Sequence, residues 1–245
     1  MLGFPVIQNC LNHCLSTRQG VRVSSISSGP VALFAGRLQP LPPEGQITGI
    51  FKQPVARALV GAEGLAGDAQ GDRRVHGGPE KAVHYYPAEH YTRLAERLPG
   101  LAAALVPGVL GENVSATGLT EQEVCIGDVY ALGACRLQVS QPRRPCWKIS
   151  HRLEHPGLSR LVADLGLTGW YFRVLAGGEI RAGDRLERVE CPAPGLTLAR
   201  LWAASEAHRP ALDELRALAA APGLNEDWVR RFTERADWLA QHAPG

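Results

Sequence analysis

Cys135-Arg136-Leu137-Gln138-Val139-Ser140-Gln141-Pro142-Arg143-Arg144-Pro145-Cys146-Trp147-Lys148 is the stretch on which a reading of this chain turns. Its first six residues alternate and predict a strand. Pro142 and Pro145 then fix their own φ and hold the residue before each extended. The run from Gln141 is therefore expected to be neither helix nor central strand. Cys146 falls in a stiff loop at a strand end, with Arg143, Arg144 and Lys148 close by. Neighbouring cations favour the thiolate, the form that attacks substrates or binds soft metals. The plain alternative is a small buried residue, the usual fate of a free cysteine.

Around this loop lies a chain of 245 residues, 45% hydrophobic and 20% charged, which is enough for one large core or one core with an appendage. A formal net charge of +2 provides no global field to recruit nucleic acid or a membrane surface. No apolar run reaches bilayer length. The six cysteines are irregularly spaced, unlike a small disulfide scaffold, and reduced thiols in a cytoplasmic protein are expected. Residues 1–30 hold five serines, Arg18, Arg22 and no acid, and are expected to be a poorly ordered extension. Cys10, His13 and Cys14 within it lack a fourth ligand candidate nearby for a metal cluster.

From Val31 to about residue 191, short apolar runs are punctuated by Gly, Pro and Asp. Leu33–Leu38, Thr48–Lys52, Ala82–Tyr86, Val124–Leu132, Arg136–Ser140 and Tyr171–Leu175 all suit strands, and Gly127-Asp128 and Gly183-Asp184 signal turns. Many short strands favour a closed or sandwiched sheet. Two helices interrupt them, one opened by Pro87 and running to Leu98, the other opened by Pro156 and running to Leu165. The expected fold is thus mainly β with helices: a β-barrel domain over 31–191. Pro192-Ala193-Pro194-Gly195 breaks the pattern like a linker. A three-helix domain over 195–245 follows, with Thr197 and Asn225 as caps and Val229, Phe232, Ala236 and Leu239 as an apolar stripe. Its six arginines and seven acids leave no basic face for phosphates, so it does not read as a nucleic-acid module.

Polar clusters recur at the expected strand ends. Gly64 to Asp68 precedes Arg73-Arg74-Val75-His76-Gly77-Gly78-Pro79, whose paired glycines let backbone amides approach an anion. Gly111-Glu112-Asn113-Val114 is a second such loop, and Lys52 closes an apolar run. Singly, each has an ordinary explanation: Asp68 a turn former, His76 a satisfied histidine, Asn113 a side-chain turn bond, Lys52 a surface lysine. Jointly, around one activated cysteine, they suit an anionic, sulfur-seeking ligand.

These motifs resemble the MOSC domain family, the molybdenum cofactor sulfurase C-terminal domain, in its YiiM-like branch of stand-alone bacterial proteins. The resemblance rests on Ile50 to Val55, Gly64 to Asp68, Val75 to Pro79, Tyr86-Pro87 with Glu89-His90-Tyr91, Gly111 to Val114, Ile126 to Asp128, and Val139 through Cys146. It runs from about Val31 to the C-terminus, where the branch also carries three helices. It implies a β-barrel that binds the molybdenum cofactor (molybdopterin), with Cys146 as ligand to molybdenum. It also implies reduction of N-hydroxylated compounds, such as hydroxylaminopurines, to amines. Lys52, Asp68, Gly77, Asn113 and Arg143 are then expected around the cofactor, and His76 with Cys146 at the chemistry. Without a cluster-binding cysteine run, electrons are expected from a separate flavin or iron–sulfur reductase.

Three functions compete at this level. The first is a molybdenum-dependent reductase of N–O bonds. The second is a carrier that holds the cofactor, or sulfur as a Cys146 persulfide, without turnover of its own. The third is a cofactor-free thiol enzyme with His76 as base.

Overall fold

The computed structural model describes residues 26–242. Eight strands make one mixed sheet that curls into a half-barrel. Their order is Glu187–Glu190, Val129–Leu132, Cys135–Pro142, Trp170–Ala176, Val83–Pro87, Val114–Ala116, Ala32–Ala35 and Gln53–Pro54. All neighbours are antiparallel except Val83–Pro87 and Val114–Ala116, which run parallel, so the chain must cross over between them. That crossover carries the helix Glu89–Arg97. A smaller sheet pairs Gly178–Arg181, Arg57–Gly61 and Gly64–Leu65, and Gln39–Leu41 forms a hairpin with Gln46–Thr48. The mainly β fold with helices read from the sequence is the fold observed.

Alternation explains why the strand Cys135–Pro142 forms: Leu137 and Val139 are fully buried, while Arg136 between the buried Cys135 and Leu137 faces water. Across the sheet, Tyr85 stacks on Trp170 with ring centroids 4.4 Å apart, and Phe172 meets both edge-on. Buried aromatics of this size supply much of the core's cohesion.

Pro142 departs from expectation, since it ends a central strand. The structure shows why that is tolerated. The neighbour Val129–Leu132 pairs only as far as Gln138, so Pro142 has a single partner, Trp170, and its missing N–H leaves no ladder bond broken. The expected strand Thr48–Lys52 also breaks after Thr48. A Cβ on Gly49 would stand 1.7 Å from the Ala69 carbonyl oxygen, so the two loops touch backbone to backbone at a position only glycine can fill.

The segment expected to be an extension up to residue 30 is in fact built into the sheet from Ile26 onward. Ser28 is 1% exposed, its N–H donates to the Leu186 carbonyl at 2.9 Å, and its hydroxyl accepts from the Leu186 N–H at 2.9 Å. Residues 1–25, with Cys10, His13 and Cys14, lie outside the described residues.

At the other end, helices Leu198–Glu206, Leu212–Ala219 and Glu226–Gln241 follow the linker. Thr197 and Asn225 cap the first and third through side-chain oxygens, which accept from Arg200 N and Asp227 N. Phe232, Ala236 and Leu239 are buried at helical spacing, joined by Trp228 where Val229 is only partly covered. These residues share one apolar core with the half-barrel. Burying a side chain such as Phe232 contributes about 1.5–3 kcal/mol. Polar contacts fix the seam: Asn225 N–H donates to Ser140 O at 2.9 Å, and Trp228 Nε1 donates to Gln141 Oε1 at 3.1 Å.

Candidate functional site

Loops at one end of the half-barrel surround a cleft with about 630 Å³ of non-protein space, its mouth included. Lys52, Asp68, His76, Asn113, Arg143 and Cys146 all line it, drawn from segments up to 94 positions apart. Gly77 does not. It joins His76 to the turn at Pro79–Lys81, with its Cα side against Gln70 and Arg73. Gly78 supplies the positive φ of 88° that starts this turn.

Cys146 follows Pro145 and caps the short helix Trp147–Arg152 with an extended backbone, φ −105° and ψ 147°. Its Sγ is half-buried and lies 3.7 Å from His76 Nε2. Among the described residues it is the one thiol in the cleft wall. His76 is pushed down to about 4, first by burial and then by the charges of Lys148, Arg143 and Lys81, against a smaller opposing pull from Asp72. The imidazole beside the thiol is therefore neutral at pH 7.

Arg143 is 5% exposed. Its Nη2 donates to Leu110 O at 3.2 Å, while Nη1, equally buried, has no hydrogen-bond partner. The expected anion grip at Lys52 has a different character. Its ammonium pairs with Asp68, both side chains being almost fully covered. Burial lowers the Lys52 pKa, and the Asp68 charge offsets part of that. Asp68 also accepts from Gly36 N at 2.7 Å and from Asn113 Nδ2 at 2.9 Å.

Asn113 is spent inside the protein in the same way. Its Oδ1 accepts from His84 N at 3.1 Å, its Nδ2 also reaches Phe34 O at 3.3 Å, and its N–H donates to His84 O at 2.8 Å. Neither the side chain nor the amide of Asn113 is left for a ligand. Lys52, Asp68 and Asn113 thus form a buried brace within the cleft wall.

The sequence reading missed His84. It lies in the strand Val83–Pro87, 5% exposed, and its Nε2 is buried with no hydrogen-bond partner. Burial, then the Arg143 charge, holds its pKa well below the usual value, while a bond to the Gly111 backbone occupies the ring's other side. A neutral ring held this way offers Nε2 as an acceptor. The signal available in the sequence was one polar residue inside the apolar run Ala82-Val83-His84-Tyr85-Tyr86. Lys81, Tyr171 and Gln70 also border the cleft and were not singled out.

On the rim, the Arg144 guanidinium lies 4.7 Å over the Trp228 ring, so the last helix touches the loop that carries Cys146. No helix among the described residues is long and apolar enough to cross a membrane.

The MOSC domain family model matches residues 72–187. Protein YiiM of Escherichia coli is 37% identical over 84% of this chain and 92% of its own length. The uncharacterized protein YflK of Bacillus subtilis is 36% identical over 85% and 95%. A protein named Reductase from Gibberella moniliformis is 37% identical over 65% of this chain, which spans 29% of that protein. The crystal structure of YiiM from Escherichia coli superposes with a TM-score of 0.73 at 29% identity, covering 86% of this chain and 93% of that one. YiiM from Geobacillus stearothermophilus gives 0.71 at 31% identity, over 85% and 99%. With the family model over residues 72–187 and relatives at 36–37% identity over more than four-fifths of its length, the chain belongs to the MOSC domain family, in its YiiM-like branch.

Proposed function

We propose that this protein holds the molybdenum cofactor in the cleft and reduces N-hydroxylated compounds to amines, with Cys146 as the protein ligand to the metal. One observation carries the reading. A thiol shares the cleft with two buried polar atoms that have no partner, the donor Arg143 Nη1 and the acceptor His84 Nε2. Buried polar atoms rarely go unpaired in a native protein, so this pair marks a place where a ligand completes the hydrogen bonding.

The donor set suits the cofactor. A thiolate binds a thiophilic metal, a guanidinium meets an anionic phosphate or dithiolene, and a neutral imidazole accepts from a ring N–H. When bound, the cofactor supplies the two-electron chemistry.

The protein's own groups orient and protonate. Lys52, Asp68 and Asn113 brace the cleft wall that they share with Arg143 and His84. His76, uncharged at neutral pH and 3.7 Å from Cys146 Sγ, is placed to relay a proton beside the reacting centre. The overall reaction takes R–NHOH, two electrons and two protons to R–NH2 and water. Its electrons come from a separate flavin or iron–sulfur reductase. The relative named Reductase supports an oxidoreductase reading over a carrier.

The test is metal analysis of purified protein beside reduction of an aromatic hydroxylamine with an artificial electron donor. Stoichiometric molybdenum with turnover is the expected result. Molybdenum without turnover would favour the carrier, and a protein that never takes up molybdenum would end the proposal.

A further inference from the structure

Away from the cleft, where the sheet hands over to the linker, Cys125, Asp128 and Cys191 converge. One ligand atom from each, two thiol sulfurs and a carboxylate oxygen, lies within 4.8 Å of the others. Cys125 and Asp128 sit on a tight turn, in which Asp128 N–H donates to Cys125 O at 3.2 Å. Cys191 follows the strand Glu187–Glu190, whose Glu190 pairs with Val129, and immediately precedes the linker to the helices.

The two oxygens of Asp128 have different lives. Oδ2 accepts from Cys125 N–H at 3.0 Å, lies 3.3 Å from Arg188 Nη1 and 3.4 Å from the Tyr130 hydroxyl. Oδ1 has no hydrogen-bond partner, although the residue is 0% exposed. A carboxylate anchored by one oxygen with the other free is the arrangement that supporting contacts give a metal ligand. The Arg188 charge balances what two thiolates and a carboxylate would leave around a dication.

We infer that Cys125, Asp128 and Cys191 bind a thiophilic divalent cation of the zinc type, with water as fourth ligand on the half-exposed Cys191 side, clamping the linker to the half-barrel. Two sulfurs, one oxygen and an open position suit tetrahedral zinc, at roughly 2.3 Å to sulfur and about 2.0–2.2 Å to oxygen, after a small contraction of the triangle. Binding releases the two thiol protons. Thiolate ligation displaces those protons, so uptake strengthens as pH rises.

Cobalt(II) titrated anaerobically into the reduced full-length chain tests this directly. One equivalent should bind with near-ultraviolet thiolate-to-cobalt absorption, and zinc should displace it and raise the melting temperature. Cys191→Ser should weaken binding by more than the roughly 10–100-fold that loss of a supporting contact costs. Cys191 is only half-buried, so its metal-free melting temperature confirms that the variant folds. Cys125→Ser, measured alongside, should lose the same absorption. Cys146→Ser should leave it unchanged. No thiolate absorption in the wild type, its retention in Cys191→Ser, or its loss in Cys146→Ser would each overturn the assignment.

Discussion

The Lys52 ammonium and the Asp68 carboxylate form an ion pair inside the protein, with side chains 5% and 1% exposed. Removing one partner strands the other charge in a poorly solvated place. Lys52→Met should cost about 3–5 kcal/mol of stability, and the double variant with Asp68→Asn should recover much of it. Denaturant unfolding of the three proteins checks this. A Lys52→Met variant as stable as the parent would return Lys52 to the role of a ligand grip.

Arg143 should behave in the opposite way. One of its bonds is to the Leu110 carbonyl and its other terminal nitrogen has no partner. Arg143→Ala should therefore cost less stability than Lys52→Met, about 1–3 kcal/mol for the Leu110 carbonyl it strands, but weaken an anionic ligand by about 1.5–3 kcal/mol, roughly ten- to a hundredfold in occupancy. Molybdenum content beside melting temperature separates the two residues.

Cys146→Ala should abolish turnover and lower metal content while changing stability by less than about 1 kcal/mol, because its Sγ is only half-buried and its contact to His76 is long, 3.7 Å. Full activity in this variant would end the proposed function.

His76 ties stability to pH. Its folded pKa, about 4, lies below the ordinary 6.5, so between these values the unfolded chain binds more protons than the folded one. The stability contributed by keeping His76 neutral is complete above about pH 6.5 and is lost as pH falls toward 4. Thermal melts across that window should fall more steeply for the parent than for His76→Gln. Some slope should survive in the variant, because His84 is depressed as well. Equal slopes would mean that His76 is not held neutral in the fold.

A chain that starts at Val31 should be less stable than one that starts at Ile26 by about 2–4 kcal/mol, from the backbone and hydroxyl bonds of Ser28 and the Gly29 bond to Thr117. Equal melting temperatures would show that this strip is dispensable.

The punctuation of the chain was legible because its causes are local. Proline and glycine announced the turns, alternation announced Cys135–Ser140, and Thr197 and Asn225 announced their helices. Cys146 was visible for the same reason: its loop is stiffened and charged by immediate neighbours. The brace within the cleft wall was not visible. Lys52 meets Asp68 across 16 positions and Asn113 meets Phe34 across 79, and nothing local says that these groups are consumed by one another. His84 stayed hidden because a strand buried on both faces shows no alternation. Ser28 was hidden because a short polar segment can join a sheet through backbone and hydroxyl bonds without any apolar alternation.

The stacking of Arg144 on Trp228 limits how this architecture can be recombined. The ring that covers a cleft-side cation belongs to the last helix, 84 positions downstream of it, so the helical unit and the thiol loop are a matched pair. A descendant that exchanged residues 195–245 for another module would inherit an Arg144 with nothing to lie against. Gene fusions that keep the activity are therefore expected to append new modules beyond these helices and not to replace them.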